Sequence, residues 1–315
     1  MTSSQKNISI IGPGAIGLLF AGLLSRHHKL SLVVKNSSLK DYQEQDLQLK
    51  GDINLRLKTS EINVITTDEL TENPEDTIYL ICVKAYDLDK TLSSLKPYLS
   101  KKSSLILTQN GIGIYQQAAE ILGRDVAIAR VITSIGVNRV NPTNVIVSGE
   151  PNFSFSTPLE KDERHEAVFK ILSTIGKVER KETIAFAEWE KVLVNIAVNP
   201  LCSILNKKNK AIVENQDLET LTLRIVKEAR LVAKSEGFIL DQLSDQDLLD
   251  KISNSRENVC STLYDLRNGN KTELEYFLGR VIRIANSNQI KTPIMKTLYH
   301  LLKYYEESMK LKVSS

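Results

Sequence analysis

Residues Ile8-Ser9-Ile10-Ile11-Gly12-Pro13-Gly14-Ala15-Ile16-Gly17-Leu18-Leu19-Phe20 constrain this chain more than any other stretch. A short β-branched run leads into G-x-G-x-x-G, and an apolar helical pattern follows at once. That order, strand then tight turn then helix, is the context a dinucleotide-binding fingerprint requires. Gly12 permits the turn, Gly14 lets the backbone approach a pyrophosphate, and Gly17 lets the helix pack closely on the strand. The helix N-terminus offers unpaired N–H groups and a partial positive charge to phosphates. A lone G-x-G-x-x-G could be a merely structural turn. Here it opens on the first strand with a βαβ pattern behind it, which makes Gly12, Pro13, Gly14, Ala15, Ile16 and Gly17 candidate cofactor contacts.

At 315 residues the chain is too long for one typical domain and suits two. Its formal charge of +3, from Lys+Arg 41 against Asp+Glu 38, is too balanced for a nucleic-acid partner. Cys82, Cys202 and Cys260 lie far apart with no C-x-x-C, and the four histidines show no ligand spacing with them. This speaks against a disulfide framework and against a metal, and suits a reducing compartment. The N-terminus lacks the apolar region of a signal peptide, and no apolar run approaches the ~20 residues of a membrane span. The expectation is a cytoplasmic protein with no membrane partner.

The first helix, from about Gly14 to Arg26, turns at His27-His28-Lys29 into a strand over Leu30 to Val34. NAD-specific sites place a carboxylate at the end of that strand to bind the ribose 2′-hydroxyl. Here the chain reads Lys35-Asn36-Ser37-Ser38, and a cation among small polar residues suits the 2′-phosphate of NADP(H). The alternative is a solvated strand-end lysine. Short strands at 53–57 and 63–65 form an excursion. Thr77 to Val83 is then nearly continuous in apolar residues, as a strand buried on both faces requires. Lys84 follows it. After a helix over 88–99, a strand over Ser104 to Thr108 ends at Gln109-Asn110-Gly111. Lys84 and Asn110 thus fall at carboxyl ends of central strands, where open α/β sheets bind ligands. A strand-exit lysine and ordinary turn chemistry are the alternatives. Three β runs within 126–157 are expected to complete the sheet, followed by a helix over 160–175 and a last strand over 177–180. Beyond Thr183 the pattern is helical almost throughout. The fold class is therefore α/β, a Rossmann-type domain over 1–182 followed by an all-α domain over 183–315.

Within 185–201, Lys191, Asn195 and Asn199 repeat at i, i+4, i+8 and stack on one helical face. The residues between are almost all apolar, so this helix carries one thin polar stripe that suits a ligand or an internal network. Alternatively Lys191 snorkels and the two asparagines satisfy core backbone groups. Pro200 predicts a kink or helix end at that point.

Glu188-Trp189-Glu190-Lys191-x-x-x-Asn195-x-x-x-Asn199-Pro200-Leu201, behind Gly12-Pro13-Gly14-Ala15-Ile16-Gly17, resembles the ketopantoate reductase family. Val83-Lys84-Ala85, Gln109-Asn110-Gly111, Ser261, Asp265-Leu266-Arg267 and Lys271-Thr272-Glu273-Leu274-Glu275 match its further motifs in order. The resemblance implies a Rossmann domain and an all-helical domain with the active site between them, reducing 2-dehydropantoate to pantoate with NADPH on the path to coenzyme A. By the same resemblance Lys191 is the catalytic general acid and Glu273 its partner and a substrate contact. Asn110, Asn195, Asn199 and Ser261 would hold the oxo-acid, and Lys84 and Asn110 would line the cofactor cleft. Asn209 matches a further ligand asparagine in position, but the Gly-Glu-Leu that usually follows is replaced by Lys210-Ala211-Ile212. Its role as a substrate contact stands beside a turn-capping one.

The residue types agree with such chemistry. Hydride delivery to a 2-oxo carbon builds charge on the ketone oxygen, which a lysine ammonium can stabilise and protonate. Thr272-x-x-Glu275 reads as a capping box that would set Glu273 in a first helical turn. Three competitors remain: a paralogous reductase of another small 2-oxo acid, a dehydrogenase of an imino or phosphorylated substrate, and a non-catalytic NADP(H)-binding sensor. A homodimer through the helical domain is a further expectation.

Overall fold

The computed structural model describes residues 6–70, 77–123, 125–158, 162–240 and 242–313. The first residues of the stretch read for a targeting signal, and Glu160 and Lys161 of the expected 160–175 helix, lie outside the described residues. The chain forms two compact units, one of Met1–Gln109 with Gly113–Ala187, the other of Asn110–Ile112 with Glu188–Ser315. The sequence expectation placed one boundary near 182. The structure keeps the first turn of the 184–204 helix with unit one and assigns the three residues after Gln109 to unit two.

In unit one the strands are β1 (Asn7–Ile11), β2 (Lys29–Val34), β3 (Leu47–Gly51), β4 (Leu55–Leu57), β5 (Asn63–Thr66) and β6 (Thr77–Ile81). They continue with β7 (Ser104–Leu107), β8 (Ala127–Thr133), β9 (Gly136–Arg139), β10 (Asn144–Ser148), β11 (Asn152–Ser156) and β12 (Lys177–Arg180). The helices are α1 (Ala15–Leu24), α2 (Leu39–Glu44), α3 (Leu88–Leu95), α4 (Ile114–Leu122) and α5 (Glu163–Ser173). The main sheet runs β12-β11-β8-β7-β6-β1-β2-β5. From β5 to β8 every pairing is parallel, with Ile10 opposite both Leu32 and Leu80. β11 joins antiparallel to β8, and β12 parallel to β11. Strand order reverses between β1 and β6, and such a switch point opens a crevice outside the carboxyl ends of the strands.

The expected completion of the sheet by all three runs within 126–157 is only partly met. β8 and β11 join it, but β10 pairs with β3 and β9 in a second sheet of order β4-β3-β10-β9. The burial pattern supplies the reason. Val145 and Val147 are buried while Ile146 between them is 44% exposed. Such alternation suits a sheet with one wet face rather than the doubly covered central sheet. The dry face packs on α1, bringing Leu47, Leu49, Val145 and Val147 into one core with Leu18, Leu19 and Phe20. Lying between two sheets, α1 is apolar on nearly all sides. A methyl group on Gly22 would sit 2.6 Å from Leu49 Cδ1, so this approach requires glycine. The helix expected over 88–99 stops at Leu95, and Pro97 enters a 3-10 turn over Lys96–Tyr98.

Unit two holds α6 (Ile184–Ile204), α7 (Lys210–Val213), α8 (Gln216–Ser235), α9 (Asp245–Asn254), α10 (Ser261–Arg267), α11 (Leu278–Ser287) and α12 (Pro293–Val313). Its helices start on chemistry the sequence carries. The Asn215 side chain accepts from Leu218 N–H, and Ser244 forms a capping box with Asp247. The turns expected at Glu236-Gly237 and Asn268-Gly269 are made with Gly237 at φ 85° and Gly269 at φ 66°. The helix end expected at Pro200 is absent, because α6 continues to Ile204. Ile196, Ala197, Val198, Leu201 and Cys202 around it are all buried, and packing outweighs the lost backbone bond. Among the described residues no helix is long and apolar enough to cross a membrane.

Candidate functional site

Gly12, at the end of β1, has φ +88°, and a Cβ there would meet Val83 Cγ1 at 2.6 Å and Val83 N at 2.9 Å. A Cβ on Gly17 would lie 2.4 Å from the Gly12 carbonyl oxygen. Gly14 differs: the nearest atom to its Cβ position is Cys82 O at 3.8 Å, leaving open space over the start of α1. The first N–H groups of α1 lack intrahelical partners, and its first turn holds no acidic residue. The turn is braced from below. The Tyr42 hydroxyl on α2 donates to the Pro13 carbonyl at 3.0 Å and accepts from Arg139 Nη2 at 2.9 Å. Burial pushes the Tyr42 pKa up to about 12, against the opposing charge of Arg139. The open cradle at Gly14, the uncapped helix start and the cationic Lys35 at the end of β2 fit a dinucleotide with a 2′-phosphate. Lys35 itself is exposed.

The neighbouring strand ends are tied together. Cys82 N–H donates to the Ile11 carbonyl at 2.8 Å. Gln109 Nε2 donates to the carbonyls of Ile81 at 2.8 Å and Val83 at 3.1 Å. Arg130 on β8, fully buried, donates to the carbonyls of Leu107 at 2.9 Å and Gln109 at 2.5 Å. These bonds hold the exits of β6 and β7 in fixed relation. Lys84, half-buried, follows the first of those exits.

Unit two contains a tight pocket lined by Asn110, Asn195, Asn199, Ser261, Thr262, Asp265, Glu273 and Phe277. Five of these were candidates in the sequence. Asn195 and Asn199 stand one turn apart on α6, both buried. Asn110 Nδ2 donates to Glu273 Oε2 at 3.3 Å, and Asn199 Nδ2 donates to Thr262 Oγ1 at 3.2 Å. Ser261 opens α10 and is exposed. The lining is thus five amide or hydroxyl side chains, two carboxylates and one ring. Such a surface can hold a small molecule that offers both hydroxyl and carboxylate oxygens.

Lys191 stands one turn before Asn195 on the same face of α6, about 6 Å along the axis. It is not among the lining residues of this pocket. Its pKa is lowered from 10.5 to about 8, by burial first and by the positive charge of Lys251 second. The residue as a whole is only half-buried. The shift follows its charged end, where desolvation penalises the cation most directly. A lysine poised near neutrality is suited to proton transfer.

Glu273 does not sit in the helical first turn expected of a capping box. It precedes a 3-10 turn over Leu274–Tyr276, and Thr272 Oγ1 accepts from Leu274 N–H at 3.3 Å instead. The Glu275 carboxylate that the box required is taken by stronger partners. Its Oε1 accepts from the Tyr299 hydroxyl and from Lys303 Nζ at 2.9 Å, and its Oε2 from Arg283 Nη1 at 3.0 Å. These bonds overcome the cost of burial and hold the Glu275 pKa at about 2. Asn209 lies outside the pocket lining. Its Nδ2 donates to the Ser255 carbonyl and hydroxyl, both at 3.2 Å, which ties the 206–210 turn to the end of α9.

Thr262, Asp265 and Phe277 line the pocket without having been singled out. Asp265 stood inside a quoted motif, so a signal existed. Thr262 and Phe277 read in sequence as ordinary helix residues. The bracing by Tyr42, Arg139 and Arg130 depends on strand pairings that no local pattern discloses.

A family model described as ketopantoate reductase PanE/ApbA matches residues 8–158, and its C-terminal counterpart matches residues 183–306. A 2-dehydropantoate 2-reductase of Pyrococcus horikoshii is 29% identical over 302 residues, covering 95% of this chain and 97% of that protein. Among solved structures, a PanE/ApbA family ketopantoate reductase from Ralstonia eutropha superposes with TM-score 0.84 at 21% identity, covering 96% of this chain and 99% of that one. D-mandelate dehydrogenase with NADH and anilino(oxo)acetate gives 0.82 at 20% identity, with coverage of 96% and 99%. A dimeric ketopantoate reductase from Staphylococcus aureus gives 0.75 at 21%, with the same coverage of 96% and 99%. At these identities the structures speak for the fold.

Proposed function

Because the chain belongs to the ketopantoate reductase family, we propose that it reduces 2-dehydropantoate to pantoate with NADPH, on the cytoplasmic route to pantothenate and coenzyme A. The observation that carries this reading is the convergence of Asn110, Asn195, Asn199, Ser261 and Glu273 on one pocket from four separate stretches of chain. Residues 1–182 serve the cofactor and residues 183–315 the substrate.

Bound NADPH supplies the hydride for the ketone carbon. Gly12, Pro13, Gly14, Ala15, Ile16 and Gly17 would hold its pyrophosphate, Lys35 would pair with its 2′-phosphate, and Lys84 and Asn110 would be further cofactor contacts. Lys191, cationic below about pH 8, stabilises the developing alkoxide and delivers a proton to it. Asn195, Asn199 and Ser261 orient the oxo-acid by hydrogen bonds. Glu273, held by Asn110, accepts from a substrate hydroxyl. Asn209 acts through the 206–210 turn rather than by direct contact, consistent with its bonds to Ser255.

A second reading, reduction of a different 2-oxo acid, is favoured by one observation. The turn at 206–210 departs from the Gly-Glu-Leu pattern; beside it, a D-mandelate dehydrogenase shares the fold. A homodimer through the helical unit is also part of the proposal. Leu231 on α8 and Leu301, Tyr304 and Tyr305 on α12 are exposed apolar side chains in that unit, and one fold relative is dimeric.

The test is a panel of 2-oxo acids followed by NADPH oxidation, with 2-dehydropantoate among them. The highest kcat/KM on 2-dehydropantoate supports the first reading, and a higher value on another acid supports the second. No turnover on any member removes both and leaves the sensor.

A further inference from the structure

The segment 272–277 that carries Glu273 is held from two sides, and α12 provides one of them. Glu306 on α12 is buried, and its Oε1 accepts the Thr272 backbone N–H at 2.6 Å. Thr272 is itself buried and directly precedes Glu273. Earlier on the same helix, Tyr299 two turns and Lys303 one turn before Glu306 both donate to Glu275 Oε1. Arg283 on α11 holds the other carboxylate oxygen at 3.0 Å and the Glu275 carbonyl at 2.9 Å. On the opposite side Ile112 N–H donates to the Tyr276 carbonyl at 3.2 Å. The backbone on each side of Glu273 is therefore fixed, and Asn110 meets its carboxylate in the middle.

We propose that Glu306 is a positioning residue for the reductase reaction: by accepting the Thr272 N–H it sets the backbone from which the Glu273 carboxylate reaches Asn110 and the substrate. The inference rests on the reading of Glu273 as a substrate contact. Nothing in Glu306 touches the pocket, so its action runs wholly through the neighbouring backbone. A charge-assisted bond to a buried N–H is among the stronger ones a protein makes, and a removed acceptor leaves the donor unpaired.

The chemistry separates two substitutions. Glu306→Gln keeps a carbonyl oxygen for the Thr272 N–H, whereas Glu306→Ala removes it. A control is Met295→Ala, which removes a buried side chain from the N-terminal part of α12 and leaves the Glu306 acceptor of the Thr272 N–H in place. All are compared with wild type as full-length protein, below the lowest melting temperature of the set. Expected for Glu306→Ala is a loss of kcat/KM for the oxo-acid of ~10-fold or more, with NADPH affinity unchanged and faster amide exchange at 271–277. Glu306→Gln should keep kcat/KM within ~3-fold, as should Met295→Ala. In a Glu273→Gln background, Glu306→Ala should cost little more. If Glu306→Ala stays within ~3-fold while Glu273→Gln loses activity, the inference is overturned and the reductase reading stands. A loss in Met295→Ala equal to that in Glu306→Ala also overturns it, since destabilisation alone would then account for both. If wild type turns over no 2-oxo acid, the reductase reading has failed first and takes this role with it.

Discussion

Asn110 Nδ2 donates to Glu273 Oε2 at 3.3 Å, joining two residues 163 positions apart in the chain. Asn110 follows directly on Gln109, whose carbonyl and side chain are fixed by Arg130 and by the carbonyls of Ile81 and Val83. The bond therefore gives the acid of the pocket a side-chain donor. Replacing Asn110 with Ala leaves the Glu273 carboxylate without this donor. A hydrogen bond to a charged group contributes ~1.5–3 kcal/mol, so kcat/KM for the oxo-acid should fall roughly 10- to 100-fold. Steady-state kinetics would measure this, and a loss below ~3-fold would remove the pair from substrate binding.

Lys191 sets the pH dependence. Its pKa is depressed from 10.5 to about 8, so the proton-donating form is lost as pH rises through about 8. For the reduction direction kcat/KM should be level below that value and fall about tenfold per pH unit above it. The stability effect has the opposite sense. Between pH 8 and 10.5 the unfolded chain binds the Lys191 proton and the folded one does not, so this group's contribution makes the fold more stable as pH rises. Replacing Lys251 with Met removes the like charge that helps depress Lys191, and the alkaline limb should move upward. A limb unchanged in Lys191→Ala would assign it to another group.

The parts of this site differed in how far the sequence disclosed them. The fingerprint at Gly12–Gly17 was legible because it lies in one contiguous strand–turn–helix, and the stripe Lys191, Asn195, Asn199 because it lies on one helix, where spacing alone sets which residues share a face. Joining Asn110 and Glu273 required the family resemblance, since no local period links residues 163 apart. The capping box at Thr272–Glu275 was misread because three donors from α11 and α12 outcompete the local bond. Of the kink or helix end expected at Pro200, the helix end does not occur, because tertiary burial overrides a local preference. The separate sheet holding β10 was hidden because β10 pairs with β3, almost one hundred residues earlier, and only the pairing decides which sheet a strand joins.

The three fingerprint glycines should separate fold from binding. Gly17→Ala places a methyl 2.4 Å from the Gly12 carbonyl, and such overpacking costs ~1–3 kcal/mol. It should lower the melting temperature by several degrees. Gly14→Ala has its nearest neighbour at 3.8 Å, so the melting temperature should hold. The new methyl would stand where the pyrophosphate approaches, and NADPH affinity should drop ~10-fold or more. Thermal unfolding without cofactor, beside a fluorescence titration with NADPH, distinguishes the two. A stable Gly14→Ala variant with wild-type affinity would place the cofactor elsewhere.

Lys35 decides between the two nicotinamide cofactors. It ends β2 as an exposed cation, followed by Asn36, Ser37 and Ser38 rather than by a carboxylate. NADPH carries a phosphate on the adenosine ribose where NADH carries a hydroxyl, so an ammonium at this strand end favours NADPH. In Lys35→Asp the attraction becomes repulsion of the phosphate, while the new carboxylate can accept from the 2′-hydroxyl. An exposed pair is worth at most about 1 kcal/mol, and the added repulsion brings the expected loss of NADPH affinity to ~10-fold or more. NADH affinity should hold or rise. The contrast is also salt-dependent, shrinking as ionic strength screens the exposed charge. Titrations with both cofactors at low and high salt measure it, and equal losses for NADPH and NADH would show that Lys35 does not read the 2′-phosphate.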